Sequence, residues 1–201
     1  MKSETSAFYH PFEEKNRKNR LKSVKPYYIF RTVEKGNTEG KTNMSKEECA
    51  YIAGFLDGDG CVMLQLVYRD DYILGYQIRA SVVFYQKQQH RSFLSWLQQQ
   101  FQGIGYIRNR NDGMSEYTIV GITDVRDVLT VLLPYLRLKK PQAKIALKVI
   151  KQMPGSGRKM TKEKLLDLAK EVDRFIELNY SKRRTNTSAK VREFFEHPNH
   201  I

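Results

Sequence analysis

Apolar and polar residues follow two periods along this chain, one helical and one alternating, and the blocks arrive in a repeating order. Ser45, followed three residues later by Glu48, has capping-box spacing and starts a helix expected to run to about Asp57. Tyr51 to Leu56 is apolar nearly all round, which suits a helix buried on most sides, and small Ala53 and Gly54 would let another backbone approach. Cys61 to Arg69 has strand character, and Asp70-Asp71 opens a turn. Tyr76 to Tyr85 alternates, with Tyr76, Ile78, Ala80, Val82 and Phe84 on one face and Gln77, Arg79 and Ser81 on the other. His90 to Gln102 is amphipathic, with Phe93, Trp96, Leu97 and Phe101 on one side. Gly105–Arg110 and Glu116–Gly121 form a second hairpin around Asn111-Asp112-Gly113. Further helices are expected over about Asp124–Leu136, Pro141–Gln152, Thr161–Asn179 and Ser188–Glu196, with Pro154-Gly155-Ser156-Gly157 as a break.

Helix, hairpin, helix, hairpin and then helices predicts an α+β domain (αββαββα) with one antiparallel sheet of four strands. One sheet face is apolar and carries the helices; the other is polar and basic. Residues 1–42 stand outside this pattern. Glu14 to Arg20 is charged without an apolar period, and Pro26 to Phe30 is a short aromatic run able to dock on the core. They read as a basic, partly ordered N-terminal extension. The core is expected over residues 43–180, followed by a C-terminal tail and helix over 181–201.

Charge narrows the partners. The chain has 201 residues, a net charge of +13 and 40% hydrophobic residues, so a packed core carries a surface that favours a polyanion: DNA, RNA or an anionic membrane. No apolar run is long enough for a membrane-spanning helix. Cys49 and Cys61 make no disulfide framework, and no Cys/His cluster has zinc spacing, which fits a reducing, intracellular compartment.

The most informative stretch is Tyr51-Ile52-Ala53-Gly54-Phe55-Leu56-Asp57-Gly58-Asp59-Gly60. An apolar helix ends in two acids separated by glycine, where the negative end of the helix dipole disfavours carboxylates. A cation relieves that cost, and hard divalent metals take the oxygens that Asp59 and the Gly58 carbonyl offer. Asp-Gly-Asp-Gly alone is more often a turn or a helix cap.

The stretch as a whole resembles the LAGLIDADG motif of homing endonucleases, and the chain is most similar to the single-motif enzymes encoded in introns of chloroplast ribosomal RNA genes. Phe84-Tyr85-Gln86-Lys87 resembles the family segment whose Gln lies near the scissile phosphates. Pro134-Tyr135-Leu136-Arg137-Leu138-Lys139 resembles a segment ending in the active-site Lys. Gly105 to Arg110 resembles a strand whose two arginines read DNA. Ser181-Lys182-Arg183-Arg184, with Ser188, Val191 and Arg192, resembles the element that grips the phosphate backbone.

The resemblance implies a fold, a reaction and a set of roles. The fold is a saddle-shaped sheet with helices on one face. Asp59 and the Gly58 carbonyl bind catalytic Mg²⁺, with Gln86 and Lys139 positioning water and phosphate. His90 stands where relatives carry a second basic active-site residue. Because the motif occurs once, a homodimer is implied, with Ala53, Gly54 and Asp57 on the motif helix at its interface. Double-stranded DNA would be read by Gln65 and Arg69, Tyr72, Gln77 and Arg79, then Arg108 and Arg110 with Glu116 and Thr118. Ser181 and Lys182 would hold phosphates. The implied function is an intron-encoded, site-specific double-strand cut in a pseudo-palindromic ribosomal RNA gene target, in the chloroplast. The alternatives are an RNA maturase that helps its host intron splice, a DNA-binding regulator without catalysis, and a non-specific nuclease.

Overall fold

A computed structural model describes residues 44–155, 158–178 and 185–197. Helix α1 (Lys46–Asp59) opens with the expected capping box: the Glu48 amide donates to Ser45 Oγ at 3.1 Å and the Ser45 amide donates to Glu48 Oε2 at 2.7 Å. The helix runs two residues past Asp57 and passes into strand β1 (Gly60–Tyr68) without a loop. Gly60 makes that possible. A Cβ there would lie 2.5 Å from Leu56 Cδ1, and the Gly60 amide donates back to the Leu56 carbonyl.

Strand β2 (Tyr76–Lys87) pairs antiparallel with β1 from Gly60 opposite Phe84 to Tyr68 opposite Tyr76. A 3-10 turn at Gln88–His90 leads into α2 (Arg91–Gln100). That helix stops two residues early, because Gln102 and Gly103 take positive φ of 55° and 79°. Strands β3 (Tyr106–Asn109) and β4 (Met114–Val120) complete an antiparallel sheet ordered β1-β2-β4-β3.

Helix α3 (Ile122–Leu132) ends four residues before the expected Leu136, since Pro134 has no amide to continue the ladder. Helices α4 (Lys140–Gln152), α5 (Lys162–Leu178) and α6 (Ser188–Glu196) follow. The apolar sheet face and the helices enclose one core, with Ile52, Leu56, Leu64, Phe84, Tyr117, Leu129, Val149 and Leu168 all buried. Val191 of α6 is fully buried in that core, so the helix expected in the C-terminal tail is an integral layer. The expected extension over residues 1–42 lies outside the described residues.

Candidate active site and nucleic-acid interface

The site is built where α1 ends. Asp59 is the last helical residue, exposed, and has no hydrogen-bond or ion-pair partner among the described residues. Gly58 beside it is exposed too, and a Cβ there would meet nothing within 4 Å. Because Gly60 pairs with Phe84, Gln86 lies at the same end of the sheet as Asp59. Its side chain is half-buried, and its Oε1 accepts from the Lys87 amide at 2.9 Å. His90 follows at the turn into α2, exposed, with Nε2 3.1 Å from Gln89 Nε2.

Lys139 reaches this end by a clasp. The Asp57 carboxylate accepts from the amides of Arg137 at 2.6 Å, Leu138 at 3.2 Å and Lys139 at 2.8 Å. The Lys139 ammonium donates to the Asp57 carbonyl. Four hydrogen bonds therefore fasten the start of α4 to the end of α1, and a carboxylate sits at a helix N-terminus that has no local side-chain cap. Cys61 lies within electrostatic reach of Lys139. Burial pushes its thiol up, which keeps it a neutral neighbour.

The structure corrects the expected interface on α1. Ala53 is fully buried in the chain's own core, and Asp57 is 8% exposed and turned onto residues 137–139. Gly54 remains on the exposed face, in line with Ala50 and Gly58, four residues apart each way, with Tyr51 alongside at 58% exposure. A Cβ at Gly54, as at Gly58, would meet open space.

Away from the helices, rows of side chains cross the sheet: Val67–Gln77, Gln65–Arg79, Met63–Ser81–Val120, Cys61–Val83–Thr118–Tyr106 and Tyr85–Glu116–Arg108. Gln65, Gln77 and Arg79 are exposed as expected. Arg69 and Tyr72 lie in the β1–β2 turn, the Arg69 guanidinium 5.3 Å from the Tyr72 ring centroid and paired with both Asp71 oxygens at 2.7 and 2.8 Å. The middle of the face is different. Ser81, Glu116 and Thr118 share it but are buried, all three on the two central strands, which have a neighbouring strand on each side.

Glu116 consequently sits beneath the arginines. Its Oε1 accepts from Arg108 Nε at 2.6 Å and from Thr118 Oγ1 at 3.3 Å, and its Oε2 lies 3.8 Å from Arg110. Arg110 also pairs with Asp112 at 2.8 Å. Two exposed guanidinium groups are thus held from below by one buried carboxylate. Ser181 and Lys182 lie outside the described residues. Among the described residues, no three His, Cys, Asp or Glu side chains converge as a metal site, so one chain presents one exposed motif carboxylate.

Sequence reasoning missed the clasp by Asp57. No local signal pointed to it, since the three amides that it takes, at residues 137–139, lie just before α4 and are about 80 positions from Asp57.

Comparison with known proteins agrees with this fold. The sequence model of the LAGLIDADG endonuclease family matches residues 52–152. The DNA endonuclease I-CvuI of Chlorella vulgaris is 41% identical over 76% of this chain and 92% of its own length. The DNA endonuclease I-CreI of Chlamydomonas reinhardtii is 38% identical over 75% of this chain and 90% of its own. The crystal structure of I-CvuI in complex with its target in 2 mM calcium superimposes with a TM-score of 0.70, covering 77% of this chain and 96% of that one at 39% identity.

Proposed function

The chain belongs to the LAGLIDADG endonuclease family, and from that premise we propose that it cuts both strands of one long, pseudo-palindromic duplex site in an organellar ribosomal RNA gene. The observation that carries this reading is the meeting of Asp59, unpartnered among the described residues, with Gln86 and a clasped Lys139 at one end of a polar sheet face.

The donors at that end suit a hard divalent cation, Mg²⁺: the Asp59 carboxylate and the Gly58 carbonyl are both oxygen ligands. When bound, the ion supplies charge neutralisation at the scissile phosphate and acidifies water. Lys139 offers a fixed positive charge to the phosphate, since the Asp57 carbonyl limits where its ammonium can go. Gln86 Oε1, which now accepts from the Lys87 amide, can accept from water instead, and its Nε2 can donate to a phosphate oxygen. His90, exposed nearby, contacts phosphate or orders water.

One motif acid per chain makes two chains necessary. Self-association through the open Ala50–Gly54–Gly58 face of α1 brings two copies of Asp59 together about a two-fold axis. Each sheet then covers one half-site. Gln65, Gln77, Arg79, Arg69 and Tyr72 read base edges directly, as do Arg108 and Arg110. Glu116 and Thr118 act one layer below, by aiming the arginines. Ser181 and Lys182 hold phosphates. The green-algal sources of the relatives favour a chloroplast location. Their description as DNA endonucleases, with Asp59, Gln86 and Lys139 all present here, favours cleavage over a maturase role.

Sedimentation with a cognate duplex tests the assembly. Two chains per duplex are expected, with affinity falling by about 0.9 log units per tenfold rise in salt for each phosphate neutralised. One chain per duplex, or a flat response to salt, would overturn it.

A further inference from the structure

Helix α6 touches the β1–β2 hairpin at two places that metal chemistry does not explain. Asn186, just before the helix, donates from Nδ2 to the Leu66 carbonyl on edge strand β1 at 3.0 Å. Phe194 lies against the hairpin's far end, its ring centroid 5.7 Å from that of Tyr68 and 5.5 Å from that of Tyr76, both edge-on. Gly75 is moulded to the same ring. It has φ +65°, and a Cβ there would lie 2.5 Å from Phe194 Cζ. The helix is itself anchored: the Ser188 amide donates to the Asp173 carboxylate of α5 at 3.0 Å, Thr187 caps it and Val191 is buried.

Gly75 closes the turn that carries Arg69, Tyr72 and the 88% exposed Ile73. The Arg69 amide donates to the Gly75 carbonyl at 2.9 Å, and the Gly75 amide to the Tyr72 carbonyl at 2.8 Å. The Asp70 carboxylate of that turn lies close enough to the Tyr68 hydroxyl to push its titration up. A ring pressed on Gly75, Tyr68 and Tyr76 therefore fixes the backbone from which these side chains project.

The turn is also the part of the hairpin farthest from Asp59. Strand β1 spans Gly60 to Tyr68 between them, about 27 Å at strand rise, or roughly eight base pairs of duplex. We propose that α6, through Phe194, is a positioning element for the reading turn, and that it sets discrimination at the outermost base pairs of each half-site while leaving the cutting end alone. This rests on the endonuclease reading above. Phe194 acts through its contacts with Gly75 and the two tyrosines.

The test uses the full chain as wild type, Phe194→Ala and Phe194→Leu, with duplexes substituted one base pair at a time. Wild type is expected to lose about tenfold in affinity for a wrong base that Arg69 or Tyr72 reads. In Phe194→Ala that penalty is expected to shrink to about twofold at the outer positions only. Penalties nearer the cut, and the cleavage rate at saturating protein, should stay within about twofold; Phe194→Leu should recover most of the outer discrimination. Amide hydrogen exchange without DNA gives a second readout, with faster exchange expected at Tyr72 and Gly75 in Phe194→Ala and little change in β4. Unchanged exchange at the turn, or an equal loss at all base positions, overturns the proposal. A wild type that neither discriminates nor cuts any duplex defeats the endonuclease reading instead, and the exchange experiment still decides whether Phe194 holds the turn.

Discussion

Asp59→Asn is expected to reduce cleavage at least about a thousandfold, equivalent to about 4 kcal/mol of lost transition-state stabilisation, while duplex binding stays within a few fold. The carboxylate is the single exposed acid that α1 presents at the cutting end. Asn keeps its shape and loses the charge proposed to hold a divalent ion. Binding is expected to survive because the proposed interface is the polar sheet face and not this acid, and the removal of a negative charge near phosphates offsets the loss of the cation. Stability should be unchanged, since Asp59 has no hydrogen-bond partner to lose among the described residues. Single-turnover cleavage, duplex binding and a thermal melt on one preparation check all three. Loss of binding together with cleavage would mean that Asp59 has another role.

Asp57→Ala is expected to give the opposite signature, a loss of stability of about 3 kcal/mol, or roughly 10 °C in melting temperature, with cleavage impaired as a consequence. Three backbone amides at residues 137–139 lose their acceptor at once, in a site only 8% exposed. The segment then no longer holds Lys139 against the end of α1. Asp57→Asn should fall between, because it keeps one carbonyl oxygen but turns an NH₂ group toward amides that need acceptors. Thermal melting, with cleavage measured well below the midpoint, checks this. A melt unchanged in Asp57→Ala would contradict the clasp. Two acids separated by one glycine thus differ in place, one buried and holding the fold and one exposed at the end of α1.

Much of this architecture is legible in the sequence because local rules govern it. The capping box at Ser45 and Glu48 forms as read, and α6 spans Ser188–Glu196 as its period indicates. Strand alternation assigns Gln65, Gln77 and Arg79 correctly to the exposed face. It fails at Ser81, Glu116 and Thr118, since alternation fixes a side chain's face but not what covers it. Ala53 was misplaced for a related reason. In a helix apolar nearly all round, composition does not say which stripe meets the chain's own core, and the open stripe proves to be Ala50, Gly54 and Gly58. The Asp57 clasp joins residues 80 to 82 positions apart, and the α6 contact with Leu66 joins residues 120 apart. No local pattern encodes such meetings.

The most direct measurement is to incubate the full chain with magnesium and a plasmid library of ribosomal RNA gene segments, and to sequence every new end. Endonuclease action of the kind proposed gives one site, cut on both strands, and no new ends without a divalent metal. Random ends throughout the library would contradict site specificity. No cutting at any site, with faster splicing of the host intron RNA, would instead assign the fold to a maturase.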